Sequence, residues 1–197
     1  MRLYRDTVLE SGTYTGNQRK GSSPMNFSEI KECDIADGPG VRVSLFVSGC
    51  THHCKGCFNE MTWDFQYGRT FEDEDIRHII DLLAPSYIAG LTLLGGEPME
   101  YVNQEGLLPL LRKVKEKYPE KTIWCYTGYM YDKDIIEDFC SKWELTREFI
   151  SYLDVIVDGE FVEELKDISL RFRGSSNQRL IDVKKTMQAE EIVYWEE

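Results

Sequence analysis

The chain predicts an α/β fold of parallel β/α units. Short apolar runs alternate with stretches whose apolar residues recur at helical spacing, and glycine-bearing turns close the apolar runs. At 197 residues and 42% hydrophobic content, the chain can bury one substantial core. Val41–Ser48 reads as a strand. Phe71–Leu83 reads as a helix, with Ile76, Ile79, Ile80 and Leu83 on one face and Glu72 to Asp75 in the first turn, where the helix dipole favours negative charge. Leu91–Leu94 is a short buried strand ending at Gly95-Gly96. Leu107–Tyr118 then reads as a helix, Thr122–Tyr126 as a strand, Asp132–Trp143 as a helix and Asp154–Val157 as a strand. Four or five such units are too few for a closed eight-stranded barrel of about 250 residues.

Composition narrows the function classes. The net charge of −12 argues against direct nucleic-acid binding, which needs clustered Lys and Arg against phosphate. No apolar run approaches the roughly 18 residues that span a bilayer, and the N-terminus lacks a signal-peptide core, so a cytoplasmic, non-membrane protein with reduced cysteines is expected. Residues 1–24 carry four basic and two acidic side chains, a net of +2 that leaves −14 for the rest. Their polar, Gly/Ser-containing composition predicts an N-terminal tail over 1–24 and one folded domain over 25–197.

The most informative segment follows the first strand. Cys50-Thr51-His52-His53-Cys54-Lys55-Gly56-Cys57 offers three thiols at C-x3-C-x2-C spacing. An iron–sulfur cubane usually takes four thiolates, so a compact set of three leaves one iron free to bind something other than protein. The spacing alone also admits a structural zinc site, completed by His52, His53 or the distant Cys33. Cys125 and Cys140 lie among apolar residues and read as core. His52 and His53 lack a partner arrangement for general-base chemistry and read as solvent-facing or supporting groups.

Asp37-Gly38-Pro39-Gly40-Val41-Arg42 precedes this loop, Gly95-Gly96-Glu97-Pro98 follows about forty residues after it, and Phe172-Arg173-Gly174-Ser175-Ser176-Asn177-Gln178-Arg179 comes near the end. With the cysteine loop, these resemble the radical S-adenosylmethionine superfamily, and within it the anaerobic ribonucleoside-triphosphate reductase activating proteins, over roughly Met25 to Val183. The resemblance implies a compact partial, open β/α barrel. It implies a 4Fe–4S cluster on Cys50, Cys54 and Cys57, and S-adenosyl-L-methionine held by Gly56, Cys57, Phe58, Gly95, Gly96, Glu97 and Pro98. Many superfamily members carry an aromatic residue before the third cysteine; Gly56 there favours the reductase-activating branch.

The implied activity is reductive cleavage of S-adenosylmethionine at the cluster, generating a glycyl radical on the large subunit of the reductase. Flavodoxin or ferredoxin is the implied electron donor. A radical activase of pyruvate formate-lyase is the competing enzyme, and a zinc- or iron–sulfur-bearing electron-transfer module the competing non-enzyme. Asp158, Glu160, Arg173 and Arg179 receive no assigned role at this level.

Overall fold

A computed structural model describes residues 24–196; all but the last residue of the expected tail lies outside them. Strands β1 (Asn26–Asp34), β2 (Val41–Val47), β3 (Arg69–Thr70), β4 (Ile88–Gly95), β5 (Thr122–Tyr126), β6 (Val155–Asp158) and β7 (Arg179–Asp182) form one sheet in the order β3-β1-β2-β4-β5-β6-β7. The four central strands β2, β4, β5 and β6 are mutually parallel, and the flanking pairs β1/β2, β1/β3 and β6/β7 are antiparallel. The sheet is an open α/β layer, and its first and last strands do not pair with each other.

Helices α1 (Asp73–Leu82), α2 (Tyr101–Lys117), α3 (Cys140–Lys142), α4 (Glu144–Ser151) and α5 (Val183–Ala189) accompany the sheet. Val43, Leu45, Leu91, Leu93 and Ile123 on the strands join Ile79, Leu107, Leu111 and Phe149 on the helices in the main core. Burying these large aliphatic and aromatic groups contributes about 1.5–3 kcal/mol each before conformational entropy is charged against it. Cys125 and Cys140 belong to that core. Alternation sends Trp124, Val155 and Val157 to the other face, where Phe172, Leu180 and Trp195 pack on them.

Several elements depart from the sequence expectation. β1 is unannounced because only Phe27 and Asp34 of its nine residues are buried, so it carries no regular apolar alternation. β4 starts at Ile88, three residues before the expected strand, and α2 starts at Tyr101, because its first turns bury Asn103 and Gln104, not apolar groups. Tyr131–Phe139 winds as a π-helix, with the Ile135 N–H donating to Met130 O at 3.1 Å, five residues back. Among the described residues no helix is long and apolar enough to cross a membrane.

Candidate functional site

Because β2, β4, β5 and β6 run parallel side by side, the segments leaving their carboxyl ends share one end of the sheet, where open α/β folds place ligands. Those segments are the cysteine loop, Gly95-Gly96-Glu97-Pro98, Thr127-Gly128-Tyr129 and Gly159-Glu160. Cys33 lies at the opposite end, beside Asp34, which pairs with Arg42 at the start of β2. It is therefore not a partner of the other three.

The cysteine loop is fastened to its neighbours through backbone. Gly49 N–H donates to Thr62 O at 2.8 Å, and Cys50 N–H to Trp63 O at 3.2 Å. Gly96 N–H donates to Val47 O and Glu97 N–H to Gly49 O, both at 2.8 Å, so the end of β4 continues to pair with the start of the loop. This close approach explains Gly96: a Cβ there would lie 2.6 Å from Gly49 O and 2.9 Å from Thr62 O. Gly95 has φ +105°, which glycine adopts without the strain another residue would meet. Gly56, at φ +71°, faces the Glu163 carboxylate.

Cys50, Cys54 and Cys57 are all half-buried. Burial pushes the Cys50 thiol up to about 12, opposed by the backbone N–H groups of His52 and His53. Burial also raises Cys54, with the Glu160 charge adding to it and the Phe161 N–H opposing. Asn59 N–H donates to Cys57 Sγ at 3.4 Å. Among the described residues no set of three His, Cys, Asp or Glu side chains converges on a metal-ion position.

Glu97 is 1% exposed and fully engaged. Its Oε1 accepts from Met99 N–H at 2.8 Å, and its Oε2 accepts from Gly128 N–H at 2.8 Å and faces His52 Nε2 at 3.1 Å. Pro98 beside it is buried. The other ring nitrogen, His52 Nδ1, lies 3.0 Å from Glu160 Oε1, and the ring packs against Tyr129 with centroids 4.3 Å apart. The His52 side chain is only 10% exposed, so it is not solvent-facing. Burial pushes this imidazole down, but the two carboxylates outweigh burial and raise it to about 9. His53 instead stacks on Trp63 at 4.7 Å.

The unassigned acidic and basic residues separate cleanly. Asp158 is fully buried and accepts from Arg179 Nε at 2.9 Å and from Tyr131 N–H at 2.8 Å, so Asp158 and Arg179 hold β6, β7 and the π-helix together. Arg173 donates to Gln178 O at 2.7 Å and closes its own loop. Glu160 alone of the four reaches the cysteine loop. Phe58 is 65% exposed, so it is not a core aromatic; its ring lies 5.1 Å from Phe161, with the Lys166 ammonium 4.8 Å above it.

Two supporting residues were not anticipated. Asn103 Nδ2 donates to Ser48 O at 3.0 Å and Glu97 O at 2.8 Å, tying two of the strand-end loops to α2. Glu100 accepts from Thr51 Oγ1 at 2.5 Å and from Tyr129 OH at 3.3 Å. The readable signal was Asn103-Gln104 standing where the apolar stripe of an amphipathic helix should begin.

Comparison with known proteins agrees with this arrangement. A family profile described as a 4Fe-4S single cluster domain matches residues 36–181. The anaerobic ribonucleoside-triphosphate reductase-activating protein of Haemophilus influenzae is 43% identical over 156 residues, 78% of this chain and 96% of that protein. The protein of the same name from Enterobacteria phage T4 is 42% identical over 79% of this chain and 93% of its own length. The one from Escherichia coli K12 is 38% identical over 78% and 96%. With a cluster-domain profile over most of its length and such relatives covered almost end to end, the chain belongs to the family of anaerobic ribonucleoside-triphosphate reductase-activating proteins.

Proposed function

We propose that this protein generates a glycyl radical on the large subunit of an anaerobic ribonucleoside-triphosphate reductase, in the cytoplasm, using a 4Fe–4S cluster, S-adenosylmethionine and a flavodoxin or ferredoxin as electron donor. The observation that carries the reading is the gathering of the three-cysteine loop and Gly95-Gly96-Glu97-Pro98 at one end of four parallel strands in a chain of this family. The finer architecture proposed is a partial barrel of the radical S-adenosylmethionine type, formed by residues 25–197 as one domain.

The donor set fits such a cluster. Three half-buried thiols sit on one loop, and the Asn59 N–H donates to Cys57 Sγ at 3.4 Å, the kind of contact that supports cluster thiolates. Cys50, Cys54 and Cys57 would hold the cluster. Gly56, Cys57, Phe58, Gly95, Gly96, Glu97 and Pro98 would line the S-adenosylmethionine site, with backbone and the Phe58 ring as the available surfaces, since the Glu97 carboxylate is already engaged by the chain. When bound, cluster and cofactor supply the one-electron cleavage that yields a carbon radical able to take a hydrogen atom from a glycine. The chain's own residues hold the loops, exclude water and leave an exposed rim at Phe58 and Met61 for a protein substrate.

Anaerobic reconstitution with iron and sulfide, followed by assay of 5′-deoxyadenosine and electron paramagnetic resonance of a mixture with the reductase, tests this. The expected result is cofactor cleavage and a carbon-centred doublet that disappears when the acceptor glycine is replaced. Zinc in place of iron and sulfide would overturn the cluster assignment. A doublet on pyruvate formate-lyase alone would transfer the substrate assignment.

A further inference from the structure

The geometry points to His52 as a positioning residue that fixes the Cys50 end of the cysteine loop and thereby sets the reduction potential of the cluster proposed above. Its imidazole bridges two carboxylates from different strand ends, Glu97 after β4 at 3.1 Å and Glu160 after β6 at 3.0 Å. The ring is also clamped from the β5 side. Tyr129 packs against it at 4.3 Å, and a Cβ on Gly128 would come within 2.7 Å of it, so only glycine leaves room. Four strand-end segments therefore meet on this one side chain.

The position of His52 in the chain gives the clamp its consequence. His52 lies between Cys50 and Cys54, so fixing its ring fixes the stretch of backbone that joins the two thiols. The same ring faces the buried carboxylate of Glu97, whose backbone N–H donates to Gly49 O at 2.8 Å, next to Cys50. Releasing the ring frees the loop and leaves that carboxylate buried without its facing imidazole. An unmatched negative charge beside a cluster disfavours the reduced, more negative form, so the cluster becomes harder to reduce.

The inference rests on the cluster reading, and iron and sulfide analysis of the wild-type protein tests that reading separately. The discriminating measurement is a potentiometric titration of anaerobically reconstituted protein, followed by electron paramagnetic resonance without S-adenosylmethionine. His52→Ala should retain iron and sulfide yet shift to more negative potential, with at least a tenfold lower reduced-to-oxidised ratio at a fixed potential, which is about 59 mV for one electron. His52→Gln, whose amide can still donate towards Glu97, should recover part of the shift. Glu160→Ala separates positioning from simple charge. Removing a negative charge alone would raise the potential, whereas releasing the clamp should lower it and broaden the spectrum. Glu160 is 57% exposed at its side chain, so this variant is expected to fold even if His52→Ala does not. A wild-type potential in His52→Ala, or a raised potential with an unchanged line shape in Glu160→Ala, would overturn the assignment.

Discussion

Each end of the sheet buries charged side chains, and two of them, Arg42 and Glu97, are satisfied by opposite means. At the amino end of the parallel strands, Arg42 is fully buried and donates to Thr92 Oγ1 at 2.7 Å, Thr122 Oγ1 at 2.9 Å, Leu91 O at 2.8 Å and Thr122 O at 3.0 Å. Trp124 lies under its guanidinium at 5.5 Å, and Gly38 makes room where a Cβ would sit 2.8 Å from Arg42 Cδ. Most of these partners belong to strands already locked in register. At the carboxyl end, Glu97 is equally buried, yet its partners come from loops after three different strands. A buried charge held by sheet residues acts as a rivet. The same charge held by loops makes the loops' positions interdependent, as the cofactor and protein-substrate site proposed above requires.

Substitutions at the two ends should therefore fail differently. The largest effect is expected from Cys50→Ala, Cys54→Ala or Cys57→Ala: loss of iron and sulfide and of 5′-deoxyadenosine formation to the level without protein, with the urea midpoint of the apoprotein nearly unchanged. Next comes Arg42→Ala, which orphans the buried oxygens of Thr92 and Thr122 and empties a large volume. Equilibrium urea unfolding should show a loss of about 3–5 kcal/mol, with cluster content retained in whatever protein stays folded. Should Arg42→Ala lose the cluster while remaining as stable as wild type, the division between the two ends would be wrong.

Gly96→Val tests the joint between strand and loop. Its side chain would point at Gly49 O and Thr62 O, so the variant should lose iron along with S-adenosylmethionine binding, and cost about 1–3 kcal/mol by overpacking. Cluster retention with selective loss of cofactor binding would show that the loop yields to the side chain without releasing the thiols.

A smaller effect separates the ends by pH. Burial, then the adjoining Asp34, raises Asp37 to about 7, while Lys31 opposes it and Arg42 and Tyr126 lie close to the pair. A carboxyl whose folded value lies above its unfolded one stabilises the fold when protonated, and that contribution is lost as pH rises from about 4 to about 7. Between pH 5 and pH 7.5 the wild type should lose about 1 kcal/mol more than Asp37→Asn, after discounting for solvent screening of a half-exposed group. Parallel pH profiles in urea would remove this account. Smallest of all, Cys125→Ala and Cys140→Ala should each cost on the order of 1 kcal/mol and leave iron content untouched.

The sequence disclosed the parallel core well because β2 and β5 are rich in β-branched and aromatic residues and bounded by turn residues, and β5 lies where its pattern places it. The flanking strands were illegible for the converse reason. β1 buries only two of its nine residues, and β7 is a four-residue strand inside a segment whose composition speaks of turns. The cysteine loop drew attention through residue type and spacing and Gly95-Gly96-Glu97-Pro98 through the family resemblance, and the folded chain sets the two segments side by side. The roles of His52, Asn103 and Glu100 could not be read, because each depends on partners 45 or more residues away or on loops that meet only after folding. Glu97 was read as a group free to receive a ligand, and only the folded chain reveals how many of its own N–H groups claim it.

The open sheet has a further consequence for how another protein can approach. An unclosed sheet has two edges, and an exposed edge of unpaired N–H and C=O groups invites strand addition by any passing chain. Here β3 covers only Asn26 and Phe27 of β1, and the remainder of β1 is an edge broken by two register shifts and studded with the exposed charges of Glu29, Lys31 and Glu32, features that discourage strand addition. The other, β7, is already paired on its outer side: Asp182 N–H donates to Val193 O at 2.9 Å, Trp195 N–H donates to Leu180 O at 2.8 Å, and Ile181 bridges to Tyr194. With both borders blunted, a partner gains little by extending the sheet. Recognition is left to side chains on the loops, where it can be selective and where the partner can leave again.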